Sequence, residues 1–97
     1  RAAGQPAEAL PRLREALLAM ADAQGGWVLG RRGWCWLERA LAEQALGNAE
    51  AASASARQAV ADLQRVTEST PGDADAARRL LQALALLEGR PPEARGT

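Results

Sequence analysis

Residues 37–51 have the sequence LERALAEQALGNAEA, and this stretch decides the fold class. Its first ten residues are Leu, Ala, Glu, Gln and Arg, all of which are strong helix formers. Gly47-Asn48 then interrupts the helix, because these residue types enter left-handed turn conformations at little cost. An Ala-Glu-Ala run follows and resumes helical sequence. The stretch therefore predicts two helices joined by a tight turn.

The break at Gly47 has counterparts on both sides. GQPAEA at residues 4–9 precedes it by 43 residues, and GRPPEA at residues 89–94 follows it by 42. The helical stretch before the break also recurs, since LERALA at residues 37–42 matches LLQALA at residues 80–85. Several matches in one phase predict a repeated helix pair. An irregular helical bundle is the alternative.

Four helical segments lie between the breaks, at about residues 7–23, 33–46, 49–68 and 73–88. In chain order, one set for each segment, the predicted apolar faces are Leu10, Leu13, Leu17 and Met20; Trp34, Leu37 and Leu41; Ala52, Ala56, Ala59 or Val60, Leu63 and Val66; and Ala77, Leu80, Leu84 and Leu87. Pro11 requires either a helix that starts beside it or a kinked first turn. Asp73 and Asp75 suit a helix start through capping and the helix dipole.

The composition excludes most other protein classes. Alanine (24 residues) and leucine (14) supply most of the hydrophobic residues, whereas His, Lys, Phe, Tyr and Ile are absent. β-branched and aromatic residues favour strands, and they are few here, so no β-sheet is expected. The commonest general base and the usual Schiff-base amine are missing as well. We therefore predict an all-α protein that is not an enzyme and that carries no cofactor.

Charge and hydropathy narrow the class further. The 12 Arg balance 12 Asp and Glu, so a net charge of zero gives no electrostatic reason to bind nucleic acid or acidic membrane. The longest dense apolar stretch, residues 80–87, is far shorter than the ~20 residues of a spanning helix. There is no signal-peptide pattern. We expect no membrane or nucleic-acid partner and a cytoplasmic location, with the periplasm as the alternative.

These features resemble the tetratricopeptide repeat. In that family a first helix carries an aromatic residue, a Leu three positions later and a large residue four further, and a turn with Gly leads to a second helix that opens with Glu-Ala. The matching positions are Trp34, Leu37, Leu41 and Gly47 in one unit and Ala77, Leu80, Leu84 and Gly89 in the next. The second helix of a preceding repeat would contain Glu8, Ala9, Leu10, Leu13, Ala16 and Leu17. Pro71 lies where the family often has a proline.

The resemblance has departures, one of them Ala77 in place of the aromatic residue in the second unit, and it implies a division of the chain. The repeat is 42–43 residues long instead of 34, as in kinesin-light-chain-like members, and Leu replaces the aromatic late in each first helix. Residues 4–24 would be the second helix of one repeat, residues 33–70 a complete pair and residues 72–97 the start of the next. We expect residues 1–97 to be one helical module, a piece of a longer polypeptide.

The only aromatic residues are Trp27, Trp34 and Trp36, and Trp36 with Arg32 and Arg39 is the best candidate for a binding site. Trp34 shares a face with Leu37, so we expect it in the core. Trp36 lies about 200° from Trp34 on the helical wheel, so it either packs on the preceding helix or faces a groove. Interface hot spots are rich in Trp and Arg.

The resemblance implies a scaffold module whose first helices hold a peptide or a partner's helix, within a larger bacterial regulatory protein. Arginines would pair with carboxylates of the partner. The candidate partner-binding residues are Trp36, Arg32, Arg39, Arg78, Arg79 and Gln82. The alternative function is a structural helical bundle or a homodimerisation domain. Leu81, Leu86 and Leu87 would then be uncovered and form the dimer contact.

Other site chemistries have weaker support. Cys35 is the only cysteine, so no internal disulfide can form, and a nucleophilic role would need a base such as His. One Cys and no His make a poor metal site. The glycine-rich residues 25–33 could hold an anion before a helix. They lack the Lys and the strand of a phosphate loop, so we predict an extended loop there.

Overall fold

Four helices form the part of the chain that the computed structural model describes, residues 6–22 and 26–88. They are α1 (Pro6–Ala19), α2 (Gly26–Ala45), α3 (Ala49–Ser69) and α4 (Ala74–Leu87). No strand occurs in these residues. The predicted all-α class with four helices is therefore confirmed. The third copy of the repeated break, at residues 89–94, lies outside the described residues, as do residues 4 and 5 of the first copy.

The turn after α2 forms where the sequence predicts it. The N–H of Gly47 donates to the carbonyl of Gln44 at 3.0 Å, and that of Asn48 donates to the carbonyl of Glu43 at 2.9 Å. This pair of bonds closes the helix end in the manner of a Schellman motif. Gly47 has a φ of +80°, a left-handed conformation that glycine adopts without the steric cost of a Cβ.

Residues 26–33 of the glycine-rich segment are helical, so the predicted loop is wrong there, and Gly25 lies outside the described residues. α2 begins at Gly26, seven residues earlier than expected. Gly33 is buried against α3, and a Cβ added to it would lie 2.8 Å from Cγ of Leu63. Each helical glycine costs about 1 kcal/mol relative to alanine. Burial of Leu29 in the core offsets part of that cost, and the missing Cβ allows the two helices to approach closely.

α2 and α3 run antiparallel. Gly33, early in α2, meets Leu63, late in α3, whereas Glu43, late in α2, meets Ser55, early in α3. α4 packs against α3 and also touches α2, while the backbone of α1 packs only against α2 among the described helices. The core cluster lies between α2, α3 and α4 and comprises Leu29, Leu37, Ala40, Ala56, Ala59, Leu63, Val66, Ala76, Ala83 and Leu86.

The predicted apolar face is right for α3 and partly right for α4, where Leu80 and Leu87 pack against the core cluster. The buried apolar residues of α3 are Ala52, Ala56, Ala59, Leu63 and Val66, as predicted. In α4 the buried residues are Ala76, Ala83 and Leu86, whereas Ala77 is exposed. Leu86 is therefore covered, contrary to the prediction, whereas Leu81 is exposed. In a helix made mostly of Ala and Leu several faces have apolar spacing, and only packing against α3 selects one of them.

The start of α4 is capped as predicted. Asp73 precedes the helix, and its Oδ1 accepts a hydrogen bond of 3.0 Å from the N–H of Ala76. This bond satisfies one of the backbone donors that every helix start leaves unpaired. α1 begins at Pro6, which places Pro11 inside the helix and not at its first position.

Candidate functional site

An open groove separates α1 from α3, with α2 as its floor, and we call it the α1–α3 groove. It has a volume of about 600 Å³. Its lining residues are Arg14, Leu17, Leu18, Ala21, Arg32, Trp36, Arg39 and Gln58. Arg14, Leu17 and Leu18 lie on one face of α1, Ala21 lies in the turn just beyond it, and the three residues from α2 are spaced i, i+4, i+7. The groove therefore extends over about two turns of helix, a length of about 10 Å.

Arg32 closes one end of the groove and joins three helices. Its Nε and Nη2 donate to Oδ2 and Oδ1 of Asp62 on α3, at 2.7 and 2.9 Å. Its Nη1 donates to the carbonyls of Met20 and Ala21, just beyond α1, at 3.1 and 3.0 Å. The hydrogen bond to Asp62 is the main cause that raises the pKa of the Arg32 guanidinium. All three nitrogens are engaged within the chain, which gives Arg32 a structural role.

Trp36 forms the floor of the groove. It is half-buried, packs against the core cluster and lines the groove, which is the second alternative of the sequence prediction. The guanidinium of Arg39 lies over its ring, 5.3 Å from the centroid. Such an arrangement contributes a cation–π attraction. Trp36 therefore supplies both an apolar surface and a fixed position for the cation above it.

A buried carboxylate holds Arg39 in that position. Nε of Arg39 donates to Oε2 of Glu43 at 3.1 Å, and Oγ of Ser55 donates to Oε1 at 2.7 Å. Glu43 is buried, so these two bonds compensate a charge that would otherwise be costly. The η nitrogens of Arg39 donate no hydrogen bond within the described residues. They remain accessible to an acceptor in the groove.

The α1 wall adds exposed apolar surface and a further cation. Leu17 is buried, whereas Leu18 is 77% exposed. Arg14 is exposed and makes no ion pair or hydrogen bond with any residue that the structure describes. Three of the eight lining residues are Arg and none is acidic. An exposed Leu beside a half-buried Trp, with cations at the rim, is typical of an interaction surface.

A second groove, the α2–α4 groove, lies between the starts of those two helices and has a volume of about 400 Å³. Its lining residues are Trp27, Gly30, Arg31, Trp34, Leu63, Val66, Asp73, Asp75, Ala76 and Arg79. Arg79 lies over the ring of Trp34, 5.6 Å from its centroid. Trp27 is 78% exposed. This groove carries two Arg and two Asp, so its charges balance.

Trp34 is 37% exposed, so its predicted place in the core is wrong. The buried face of α2 is centred on Gly33, Leu37 and Ala40, and Trp34 lies at the margin of that face. Trp36 lies closer to its centre. Because the glycines before Trp34 belong to the helix, the face extends further toward the start of α2 than the sequence indicates.

The six candidate partner-binding residues do not form one surface. The α1–α3 groove brings together Arg32, Trp36 and Arg39, whereas Arg79 lines the α2–α4 groove. Gln82 lines neither groove, and Arg78 lies outside both in an exposed ion pair with Asp75. Sequence reasoning missed Arg14 and Leu18. The signal for Leu18 was an additional Leu one position beyond the predicted apolar face of the first helix.

Cys35 has the environment of an inert thiol. It is buried, and burial raises its pKa, an effect that nearby Arg31 reduces and Glu38 increases. A thiol must ionise to act as a nucleophile, and this environment opposes ionisation. Reactivity of Cys35 therefore depends on opening of the fold.

We predict that iodoacetamide at pH 8 alkylates native Cys35 more than about tenfold more slowly than the urea-unfolded chain. Because the folded-state pKa is raised, Cys35 favours folding below its unfolded pKa, and this contribution is lost as pH rises through the folded pKa. The Cys35→Ala variant should lack this alkaline loss of stability. The rate of alkylation is measured by mass spectrometry. Equal rates for the native and the unfolded chain would contradict the prediction.

Among the side chains of residues 6–22 and 26–88, no group of three or more His, Cys, Asp or Glu is placed to hold a metal ion. No helix in the same part of the chain has both the length and the apolar character to cross a membrane. Compared with known proteins, the chain matches no protein-family model, no curated protein and no solved structure at a significant level.

Proposed function

We propose that this chain is a protein-interaction module that binds a peptide or a helix of a partner protein in the α1–α3 groove. One observation carries the proposal: in an open groove of about 600 Å³, half-buried Trp36 lies beside Leu18, which is largely exposed. A Leu that becomes fully covered contributes about 1.5–3 kcal/mol, so a partner gains by covering Leu18. The groove also falls within the range of volumes that binding pockets occupy.

The resemblance to tetratricopeptide repeats is part of this proposal and assigns each helix a place in a repeat. α1 packs on α2, α2 pairs with α3, and α4 packs on α3 while it also touches α2. In a repeat array α1 would be a second helix, α2 and α3 the next pair, and α4 the first helix of the following repeat. The module would then belong to a longer stack in a larger bacterial regulatory protein.

A homodimerisation domain is the second candidate, and the outer face of α4 favours it. Ala77, Leu81 and Leu84 are spaced i, i+4, i+7 on the side away from α3, and Leu81 is 67% exposed. Covering this stripe with a second copy would bury apolar surface. Sedimentation over a hundredfold concentration range separates the candidates, because a dimer through α4 would dissociate in the Leu81→Ser variant but not in Leu18→Ser.

The proposed function is tested by selection from a surface-displayed library of helix-forming 20-residue peptides against the whole chain. We expect enriched peptides whose affinity falls about tenfold or more for Leu18→Ser, because an apolar contact worth 1.5–3 kcal/mol is lost. Leu81→Ser is the matched control, since it removes another exposed Leu outside the groove and should change affinity less than about twofold.

Both variants should stay folded by circular dichroism, because the replaced side chains are exposed. A selection that enriches no peptide, or binders equally weakened by Leu18→Ser and Leu81→Ser, would overturn the proposal.

A further inference from the structure

The geometry points to a specific class of partner, and this inference rests on the proposed function. We infer that the α1–α3 groove binds an amphipathic helix of a partner protein that carries Asp or Glu side chains at one end of its apolar face. Arg14 and Arg39 would bind those carboxylates, and Leu18 and Trp36 would contact the apolar side chains. The charge of the groove, the free donors at its rim and its helical walls each support this choice.

The two arginines lie toward the same end of the groove. The bonds from Arg32 to the carbonyls of Met20 and Ala21 bring one end of α1 beside Arg32. Arg14 precedes the end of α1 at Ala19 by five residues, and Arg39 follows Arg32 by seven, which is about 8 and about 10 Å along the two helices. Because both side chains line the same groove, they lie at the end away from Arg32. Glu43 balances the charge of Arg39, and Arg14 has no acidic partner among the described residues, so this end carries a net positive charge.

The donors at this end are unused within the described chain. Arg14 has no ion-pair or hydrogen-bond partner there. Arg39 engages only its Nε with Glu43, so its two η nitrogens still present the fork that binds carboxylates. Trp36 below and Glu43 beside it hold the guanidinium in place. A partner carboxylate would thus meet an arginine that is already positioned, which lowers the entropy lost on binding.

The walls of the groove favour a helical partner over an extended one. α1, α2 and α3 are helices, so their backbone N–H and C=O groups are paired internally and offer no edge to which a strand could add. The faces that line the groove extend over two turns. A partner helix presents its apolar anchors at i, i+3 or i+4, and i+7 over the same length.

The α2–α4 groove differs from the α1–α3 groove in the charge of its lining residues. The α2–α4 groove also contains Trp and Arg, but Asp73 and Asp75 lie within it. Complementary charge governs partner choice and association rate more than total affinity. A preference for acidic peptides is therefore expected of the α1–α3 groove and not of the α2–α4 groove.

The test uses a peptide selected on the whole chain and its charge-reversed copy, in which every Asp and Glu is changed to Lys. We expect Leu18-dependent binders to carry Asp or Glu beside their apolar positions, and reversal to weaken binding at least about tenfold. Arg14→Glu should weaken the acidic peptide about five- to tenfold, because an attraction becomes a repulsion. Affinity should also fall as salt is raised from about 50 to about 500 mM.

Arg12→Glu is the matched control. It makes the same change of charge on the same helix, two positions away and about 200° around it, at an exposed residue that does not line the groove. We expect it to weaken binding less than about twofold.

The outcomes separate this inference from the proposed function. Leu18-dependent binding that is equal for acidic and charge-reversed peptides would overturn the inference and leave the interaction module standing. Equal effects of Arg14→Glu and Arg12→Glu would also overturn it. Absence of any Leu18-dependent binder would overturn both. A dimer that Leu18→Ser dissociates would show that a second copy occupies the groove, which overturns the inference in favour of self-association.

Discussion

Replacing Arg32 with Met is expected to lower the free energy of unfolding by about 3–5 kcal/mol. Asp62 is only 5% exposed, and both of its carboxylate oxygens accept hydrogen bonds from Arg32. Without the guanidinium the fold would bury an uncompensated charge. Two carbonyls at the end of α1 would lose a donor as well. Urea denaturation at pH 7 measures the loss.

A double variant isolates the cause of this loss. Arg32→Met/Asp62→Leu removes both charges and keeps apolar side chains of similar size, so most of the stability should return. The pair Arg78–Asp75 supplies a control, because both side chains are exposed and Arg78→Met should cost less than about 1 kcal/mol. A loss as small for Arg32→Met as for Arg78→Met would show that Arg32 does not hold the helices together.

The second large effect is expected where α2 and α3 approach most closely. Leu63 is fully buried, so Leu63→Ala should lower the free energy of unfolding by about 2–5 kcal/mol through lost burial and a cavity. Gly33→Ala should also destabilise, by about 1–3 kcal/mol, because the new Cβ would lie 2.8 Å from Cγ of Leu63. The higher helix propensity of Ala offsets at most about 1 kcal/mol of that cost.

The two positions should be coupled. In the Leu63→Ala background the close contact left to the new Cβ is Cβ of Asp62 at 3.2 Å, so Gly33→Ala should cost less, and the double-mutant cycle should show a favourable coupling. Gly30→Ala is the control, since its Cβ would lie 3.9 Å from Cγ2 of Val66, an ordinary contact. If Gly33→Ala and Gly30→Ala have equal effects in urea denaturation, the close approach at Gly33 does not limit packing.

Arg32 also connects the fold to the proposed function. α1 forms one wall of the α1–α3 groove, yet its backbone packs only against α2 among the described helices. The bonds from Arg32 hold the end of α1 beside α3. The geometry of the groove therefore depends on Arg32, although its nitrogens are engaged within the chain. Among the sequence candidates, Trp36 and Arg39 are those that a ligand in this groove would meet.

Much of the fold could be predicted because its signals are local. Runs of Ala and Leu predict helices, Gly47 predicts the turn, and Asp73 predicts a cap, since each depends on neighbouring backbone alone. The apolar face of α3 was also predictable, because Leu63 and Val66 are its only large apolar residues besides Val60. The candidate site was predictable only in part, through Trp36 and Arg39.

The remaining features were decided by contacts between distant residues. Glycines that favour a loop locally became helical at Gly33, because α3 approaches there too closely for a Cβ. The same contact set the rotation of α2, which left Trp34 exposed and Trp36 half-buried. The sequence by itself determined that the chain is helical and where the turns after α2 and α3 lie. The tertiary structure decided which faces meet, because in helices rich in Ala and Leu only packing distinguishes one apolar face from another.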